Sequence, residues 1–282
     1  MSGYANDVLV TTSWLADNLD DPNLRLLEVD EDTTAYDRGH IPGAIGINWK
    51  EDLQDGVRRD FLSAEDFAKL QDKLGITPDT LVVLYGGNNN WFASYAYWYY
   101  RYYQHPKVKL LDGGRKKWEL EGRELTKEEP KVSSTKGYPV PTPDDEIRAF
   151  RDQILTDVLG KDSKGLVDVR SPEEFRGELL APAHLPQEQS QVGGHIPGAK
   201  NIPWGKNVNT DTGQFLPPEE LVKLYEEEGI TPDKEVVAYC RIGERSALTW
   251  FVLHELLGWD KVRNYDGSWT EWGSLVRAPV ER

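Results

Sequence analysis

Residues 235–257 have the sequence EVVAYCRIGERSALTWFVLHELL, which predicts a strand, a tight turn and a helix in succession. The first five residues are short, apolar and β-prone, whereas residues 247–257 are typical of a buried helix that ends at Gly258. The turn holds Cys240, the only cysteine in the chain, with Arg241 and Arg245 beside it. A strand that leads through a tight turn into a helix favours an α/β fold with a parallel sheet.

The position of Cys240 predicts a reactive sulfur. The first turn of a helix offers unpaired amide groups and a partial positive charge, and two arginines add to that field. We therefore expect a lowered pKa and a thiolate, which is the nucleophilic form of cysteine. A free cysteine is more often buried and inert. This one follows the end of a strand, where α/β sheets place their ligands, so we interpret it as catalytic.

The residues after the cysteine predict an anion-binding loop. Gly243 tolerates a left-handed backbone, which lets the loop curl so that the amides of Ile242, Gly243 and Glu244 converge. Arg241 and Arg245 lie within five residues of the thiol and would add positive charge to this loop. The carboxylate of Glu244 fits such a loop poorly, so we expect it to point outward or to pair with an arginine.

An internal repeat extends these assignments to the whole chain. The motif GHIPGA occurs at 39–44 and at 194–199, and GITPD occurs at 75–79 and at 229–233. The two offsets, 194 − 39 = 155 and 229 − 75 = 154, are nearly equal. A period of this length indicates a duplicated domain rather than a solenoid. The second copy carries an insert near residues 178–192, which includes His184 and is expected to be an exposed loop.

The repeat predicts two tandem α/β domains, each with a mainly parallel sheet flanked by helices. We place a non-catalytic domain at 6–125, a linker rich in proline, serine, threonine and charged residues at 126–146, and a catalytic domain at 147–278. Gly86 occupies the position of Cys240 in the first copy, and its loop has neither a thiol nor an arginine. The chemistry is therefore expected in the second domain alone.

Comparison of the two copies also sorts the other candidate residues. Arg170 follows the first strand of the second domain and has no counterpart in the first, so it is a candidate for anion binding. His40 and His195 recur in both copies, including the one without a thiol, which favours a structural role in the GHIPGA turn. Trp118 and Trp272 also recur and are expected in the core. Neither the histidine spacing nor the single cysteine predicts a metal site, and we expect no cofactor.

Composition limits the classes of partner. The 282 residues carry a net charge of −15, which argues against general binding to nucleic acids or anionic membranes. The start of the sequence lacks the basic and apolar regions of a signal peptide, and no run is long and apolar enough to span a bilayer. We expect a soluble cytoplasmic protein that acts on small molecules. The duplicated chain supplies its own second domain, so a monomer is the default expectation.

Taken together, these motifs resemble the rhodaneses, the thiosulfate sulfurtransferases. The resemblance is carried by two copies of GHIPGA, the loop from Cys240 to Arg245, and the segment YDGSW at 265–269, and it covers essentially the whole chain. The serine after the loop and the segment PQEQS at 186–190 resemble the actinobacterial-type branch of the family. The resemblance implies that Cys240 attacks the outer sulfur of thiosulfate, releases sulfite and holds a persulfide. A thiophilic acceptor such as cyanide then takes the sulfur. The resemblance also implies that the loop amides from Arg241 to Arg245 cradle the persulfide sulfur, that Arg245 binds the substrate anion and that Arg241 adds to the positive field.

Three alternatives stay open at this point. A 3-mercaptopyruvate sulfurtransferase would share the fold, but its loop is nearly free of charge, and the two arginines here favour a dianion. A non-enzymatic persulfide carrier would hand the sulfur to a partner protein. A cysteine phosphatase of the same fold is less favoured, because it uses a Cys-x5-Arg loop, whereas only four residues separate Cys240 from Arg245.

Overall fold

The computed structural model describes residues 3–182 and 189–282. It confirms the predicted α/β class, because the chain forms two sheets whose paired strands all run parallel, each with helices around it. The chain divides into two compact units. The N-terminal unit comprises Val8–Asp144 and Val208–Phe215, and the C-terminal unit comprises Met1–Asp7, Asp145–Asn207 and Leu216–Arg282.

The N-terminal unit contains a five-stranded sheet in the order β1-β5-β4-β2-β3. Its strands are β1 (Leu9–Val10), β2 (Leu24–Val29), β3 (Ile45–Ile47), β4 (Leu81–Tyr85) and β5 (Val108–Leu111). Its helices are α1 (Thr12–Asn18), α2 (Ala35–Arg38), α3 (Trp49–Asp52), α4 (Ala64–Lys73), α5 (Trp91–Tyr102) and α6 (Gly114–Leu120). Leu24 and Leu26 of β2 and Val83 and Tyr85 of β4 pack with Trp118 into one buried cluster.

The C-terminal unit contains a four-stranded sheet in the order β7-β6-β8-β9. Its strands are β6 (Lys164–Asp168), β7 (Lys200–Asn201), β8 (Glu235–Tyr239) and β9 (Val262–Tyr265). Its helices are α7 (Arg151–Gln153), α8 (Pro172–Phe175), α9 (Pro218–Glu226), α10 (Glu244–Trp250) and α11 (Ser268–Trp272). Helix α10 continues as a wider π-helical turn over Phe251–Leu256, so the predicted buried helix is confirmed and begins three residues earlier than expected.

The two sheets repeat each other in register as well as in strand order. Glu28 of β2 pairs with Tyr85 of β4, and Asp168 of β6 pairs with Tyr239 of β8. Each tyrosine hydroxyl accepts a hydrogen bond from the backbone amide of the isoleucine in its GHIPGA turn, at 2.9 Å in the first copy and 3.0 Å in the second. Gly86 and Cys240, which follow the two tyrosines, therefore occupy equivalent positions.

The recurring tryptophans and histidines have matching structural environments. Trp118 and Trp272 are buried, and each indole nitrogen donates to a backbone carbonyl a few residues further on. The rings of His40 and His195 bind main-chain oxygens at 2.9–3.1 Å and stack on Tyr36 and Phe175, respectively. These contacts hold the turns in place, in agreement with the structural interpretation of both histidines.

The contacts of the predicted linker bear on the predicted division into domains. Residues of the expected linker bind the N-terminal unit: Thr126 pairs with His40 through the backbone, and the Tyr138 amide donates to Asp72 at 3.0 Å. The bounds 6–125, 126–146 and 147–278 stay a prediction.

No helix among residues 3–182 and 189–282 is long and apolar enough to cross a membrane.

The insert of the second copy is described only at its two ends, because residues 183–188, including His184 and most of the PQEQS segment, lie outside the described residues. Ser190 is buried rather than exposed, and its hydroxyl donates to the carbonyl of Val192 at 2.8 Å. That carbonyl also accepts from the indole of Trp269 at 3.0 Å. The end of the insert is thus bound to α11.

Candidate active site

Cys240 lies where the strand order of the C-terminal sheet reverses. The chain leaves the inner strand β6 for β7 on one side and returns to β8 on the other. In open parallel sheets, the crevice for a ligand forms at this reversal, beyond the carboxyl ends of the two strands. Cys240 directly follows β8, and Arg170 lies two residues beyond β6, so the fold brings both sequence candidates to the same edge.

The backbone of Cys240 is fixed on both sides. Its amide donates to the hydroxyl of Ser268 at 3.1 Å, and its carbonyl accepts from the amide of Trp269 at 3.0 Å. Ser268 adopts a left-handed conformation with φ of 51°, which is unusual for a residue other than glycine. The sequence analysis did not identify Ser268. The repeat offered a signal, since the counterpart of Ser268 in the first copy is Gly114, which lacks the hydroxyl. Gly114 has the same conformation, with φ of 53°.

The sulfur of Cys240 is enclosed by its own loop. The side chain is 0% exposed, and the amide of Gly243 donates to Sγ at 3.1 Å. The thiol in turn donates to Oε2 of Glu244 at 3.6 Å. The Ser246 hydroxyl donates to Oδ1 of Asn264 at 2.6 Å and lies 3.1 Å from the carbonyl of Gly243 in the loop. The Gly243 amide is therefore directed at the sulfur, and Glu244 lies inside the loop, where it pairs with Arg241 at 3.8 Å, the second of the two arrangements expected for it.

This environment corrects the predicted ionisation of Cys240. Burial, followed by the negative charge of Glu244, raises the pKa of the thiol, and the charge of Arg245 and the hydrogen bonds of Ser246 offset this only in part. The prediction of a lowered pKa was wrong because it counted the nearby arginines and omitted two effects of the tertiary structure. Full burial removes the water that would solvate a thiolate, and a carboxylate touches the sulfur.

Arg245 forms a buried ion pair that the sequence did not reveal. Its two terminal nitrogens donate to the two carboxylate oxygens of Glu174 at 2.9 and 3.0 Å, and the arginine is only 4% exposed. Its Nε has no hydrogen-bond partner among residues 3–182 and 189–282. Glu174 is fixed in α8 by a capping box with Ser171, and that motif is visible in the sequence SPEE at 171–174.

The charges around the sulfur cancel formally. Arg241 approaches Glu244 at 3.8 Å, and Arg245 pairs with Glu174. Two arginines and two glutamates sum to 2 − 2 = 0. An incoming anion therefore meets the directed Gly243 amide and individual guanidinium edges rather than a net positive field.

Arg170 is engaged by the carboxylate at the end of its own strand. It is fully buried, and its guanidinium binds Asp168 at 2.6–3.2 Å and the carbonyl of Gly194 at 2.7 Å, while its face lies over the ring of Trp269. In the N-terminal unit, Glu28 occupies the place of Asp168 and is paired with Arg115. In each copy an arginine thus neutralises the carboxylate at the end of the strand. The two arginines come from different elements, since Arg170 follows β6 and Arg115 lies in α6.

The first copy cannot carry out the same chemistry. Gly86 stands at the position of Cys240, and a Cβ atom on it would lie 2.3 Å from the carbonyl oxygen of Val29. Asn90, which stands where the second copy has Glu244, accepts from the Gly86 amide at 3.0 Å and only braces the loop. The first copy therefore lacks both the thiol and the space for one.

Replacement of Gly243 with alanine is expected to disrupt the cradle. Gly243 has φ of 99°, and a Cβ atom there would lie 2.5 Å from Cα of Asp266. The loop would have to move, and the amide that binds the sulfur would move with it, at a cost of about 1–3 kcal/mol. Thermal unfolding and the alkylation rate of Cys240 measure the two effects. Gly229→Ala is the matched control, since Gly229 has a similar φ of 71° but an open environment.

Residues 3–182 and 189–282 contain no group of three or more histidine, cysteine or acidic side chains placed to hold a metal ion. Ile242 is buried beside the cysteine and offers only its backbone to a ligand. The arrangement as a whole is a single enclosed sulfur with the Gly243 amide directed at it, one adjacent carboxylate and two paired guanidinium groups. It can hold a charge or an extra atom on sulfur once the thiol proton has been removed.

Comparisons with known proteins agree with this description. A model of the rhodanese-like domain matches residues 11–121 and again residues 152–275. "Putative thiosulfate sulfurtransferase" of Saccharopolyspora erythraea is 62% identical over 275 residues, which cover 98% of this chain and 96% of the relative. "Sulfur carrier protein TtuD" of Thermus thermophilus is 56% identical over 283 residues, 99% of each chain.

The fold also matches a solved structure. SseA from Escherichia coli, described with the 3-mercaptopyruvate sulfotransferases, superposes with a TM-score of 0.79 at 24% identity, covering 93% of this chain and 98% of the other. At that identity the match shows the fold alone. The domain matches and the end-to-end relatives show that this chain belongs to the rhodanese family, with two rhodanese-like domains in tandem, of which the second contains the cysteine.

Proposed function

We propose that this protein is a thiosulfate sulfurtransferase that works through a persulfide on Cys240. The observation that carries the proposal is the single enclosed sulfur, with the Gly243 amide directed at it from 3.1 Å, at the reversal point of the sheet. Relatives that bear this name are 62% and 60% identical over nearly the whole chain. The family model places the same domain around the cysteine.

The reaction requires two displacements at sulfur. The Cys240 thiolate attacks the outer sulfur of thiosulfate, a new S–S bond forms, and the S–S bond of thiosulfate breaks, with its electron pair leaving on sulfite. The terminal sulfur of the resulting persulfide carries the negative charge. A thiophilic acceptor such as cyanide then bonds to that sulfur and returns the electron pair to Cys240, which gives thiocyanate. No net oxidation or reduction of the protein occurs over the cycle.

Within this proposal, the loop from Arg241 to Arg245 binds the transferred sulfur and the departing anion. The amides of Ile242, Gly243 and Glu244 face the terminal persulfide sulfur. Arg241 and Nε of Arg245, which has no hydrogen-bond partner in the described part of the chain, bind the sulfonate group. This use of Arg245 leaves its pair with Glu174 intact. Arg170 is fully buried and held by Asp168, so we assign it an effect on the anion through its positive charge rather than through contact.

The main alternative is 3-mercaptopyruvate as the donor. Glu174 and Glu244 offset the two arginines, so the net charge of the site favours a dianion less than the sequence indicated. The names of the relatives favour thiosulfate. We therefore expect kcat/KM for thiosulfate to exceed that for 3-mercaptopyruvate by about tenfold or more, as 1.4 kcal/mol of differential transition-state binding would give.

Steady-state rates with the two donors, both with cyanide as the acceptor, test this expectation. Mass spectrometry of the intact protein after each donor, with one added sulfur atom expected, reports the persulfide directly. A higher kcat/KM for 3-mercaptopyruvate would contradict the assignment of the donor. Loading of sulfur without turnover by cyanide would instead favour a persulfide carrier, a function that the name of the Thermus thermophilus relative keeps open.

We also propose the partners, the oligomeric state and the compartment of the protein. A donor anion and a small thiophilic acceptor are its expected partners, and nucleic acids and membranes are not. A monomer in the cytoplasm is consistent with the net charge of −15 and the duplicated domain.

A further inference from the structure

Glu244 is a buried acid in direct contact with the reactive sulfur. The residue is 1% exposed, and its Oε2 accepts from the Cys240 thiol at 3.6 Å. A carboxylate in the middle of a loop that must accept anions is costly, because it repels both a thiolate and the incoming donor. Such a residue needs a physical explanation, and its position against the sulfur supplies one.

The location of Glu244 in the fold directs it at the sulfur. It is the first residue of α10, and Gly243 before it has a left-handed backbone that turns the chain back toward the cysteine. In the first copy, Asn90 occupies this place, and its amide braces the backbone of Gly86 instead. A neutral amide at this position is therefore sufficient for the shape of the loop. The acidic side chain stands in the copy that has the thiol.

We propose that Cys240 and Glu244 share one proton, which moves from Sγ to Oε2 when the cysteine attacks and returns when the persulfide is discharged. The S–H bond breaks with its electron pair left on sulfur, and an O–H bond forms on the carboxylate. The pair carries one negative charge before and after this transfer. This inference rests on the proposed function for the sulfur-transfer steps, whereas the shared proton itself does not.

The surrounding charges are compatible with a proton held by the pair. Arg241 lies 3.8 Å from Oε1 of Glu244, and Arg245 approaches the cysteine from α10 but is neutralised by Glu174 of α8. On the side of the loop after β9, Asp266 is paired with Arg148 at 2.8 Å. Oε1 of Glu244 is 3.8 Å from Arg241, whereas Asp266 and Glu174 are 2.8–3.0 Å from their arginines.

The shared proton has a consequence for the whole cycle. While the persulfide carries the charge on its outer sulfur, the neutral acid at position 244 no longer repels it. When an acceptor removes that sulfur, the proton is available at once to quench the thiolate. The resting protein is then a protected thiol, which limits unwanted alkylation and oxidation of the only cysteine in the chain.

Alkylation of Cys240 by iodoacetamide across pH 5–10 tests the proposal, because a single cysteine makes the reaction specific. In Glu244→Gln, we expect the midpoint of the rate profile to fall by on the order of one pH unit or more, and alkylation at neutral pH to rise about tenfold. Glu220→Gln is the control, since it removes the same charge from an exposed position in α9 of the same unit. Its profile is expected to match the unchanged protein.

An unchanged or raised midpoint in folded Glu244→Gln would overturn the proposal. Glu244→Asp provides a second test if the glutamine variant does not fold. The shorter side chain moves the acid away from the sulfur, so its midpoint is expected below that of the unchanged protein, and equal midpoints would again contradict the shared proton. Since alkylation needs no sulfur donor, a failure of the proposed sulfur transfer would not affect this result.

Discussion

Replacement of Cys240 with serine is expected to lower the rate of thiocyanate formation from thiosulfate by on the order of a thousandfold or more. A serine hydroxyl in this enclosed site does not ionise near neutral pH, and it cannot form the S–S bond on which both displacements depend. The change is small in volume, so the fold is expected to survive it. The rate of thiocyanate formation and the mass of the protein after exposure to thiosulfate, with no added sulfur, measure the outcome.

Cys240→Ala serves as the second variant, since it removes the hydrogen-bonding group altogether. Both proteins are expected to unfold within a few degrees of the unchanged protein, which separates loss of chemistry from loss of structure. Retention of near-normal turnover in either variant would refute a persulfide on Cys240.

Replacement of Arg245 with alanine is expected to reduce both stability and activity. From the sequence alone we expect a higher KM for thiosulfate with little effect on folding, because the sequence analysis assigns Arg245 only a role in substrate binding. The structure places the guanidinium in a buried bidentate pair with Glu174. Its removal leaves an uncompensated carboxylate in the core, which costs about 3–5 kcal/mol in the free energy of unfolding. Denaturant unfolding and the KM for thiosulfate measure the two effects.

The origin of this loss can be checked by removing the second charge. Glu174→Gln in the Arg245→Ala background is expected to recover part of the lost stability, because no buried charge remains unpaired. Arg176→Ala is the matched control, since Arg176 and its partner Glu178 are 49% and 57% exposed and such surface pairs contribute little. A double variant no more stable than Arg245→Ala would show that the pair is not the cause.

The pair of Arg245 and Glu174 also makes the stability of the protein depend on pH. Burial would raise the pKa of Glu174, but the hydrogen bonds and charge of Arg245, with the Ser171 amide, outweigh it and hold the pKa below its ordinary value. The pair therefore stabilises the fold above the ordinary pKa of a glutamate, and that stability is lost as the pH falls through the lowered value. Without Arg245, burial dominates and the acid becomes protonated more readily. The stability gap between the two proteins is expected to be widest at neutral pH and to narrow in acid.

Much of this protein could be predicted from its repeat. The equal spacing of the two GHIPGA and GITPD motifs indicated duplicated α/β domains, because each motif marks a turn that the backbone can make in only a few ways. The alternation of short apolar strands with helices predicted parallel sheets, and Cys240 lies at the strand end that this pattern assigns to it. Local features of this kind depend on neighbours along the chain, and the sequence displays those neighbours directly.

What the sequence by itself determined was therefore the fold class, the duplication and the location of the thiol in the second copy. The tertiary structure alone decided the state of that thiol. Glu174 is 71 residues from Arg245 along the chain, and Asp168 reaches Arg170 only through the conformation of the end of β6. Electrostatic effects depend on distance and burial in three dimensions, so the sequence showed three arginines near an anion site. The fold shows each of them next to a carboxylate, with Glu244 against the sulfur of Cys240.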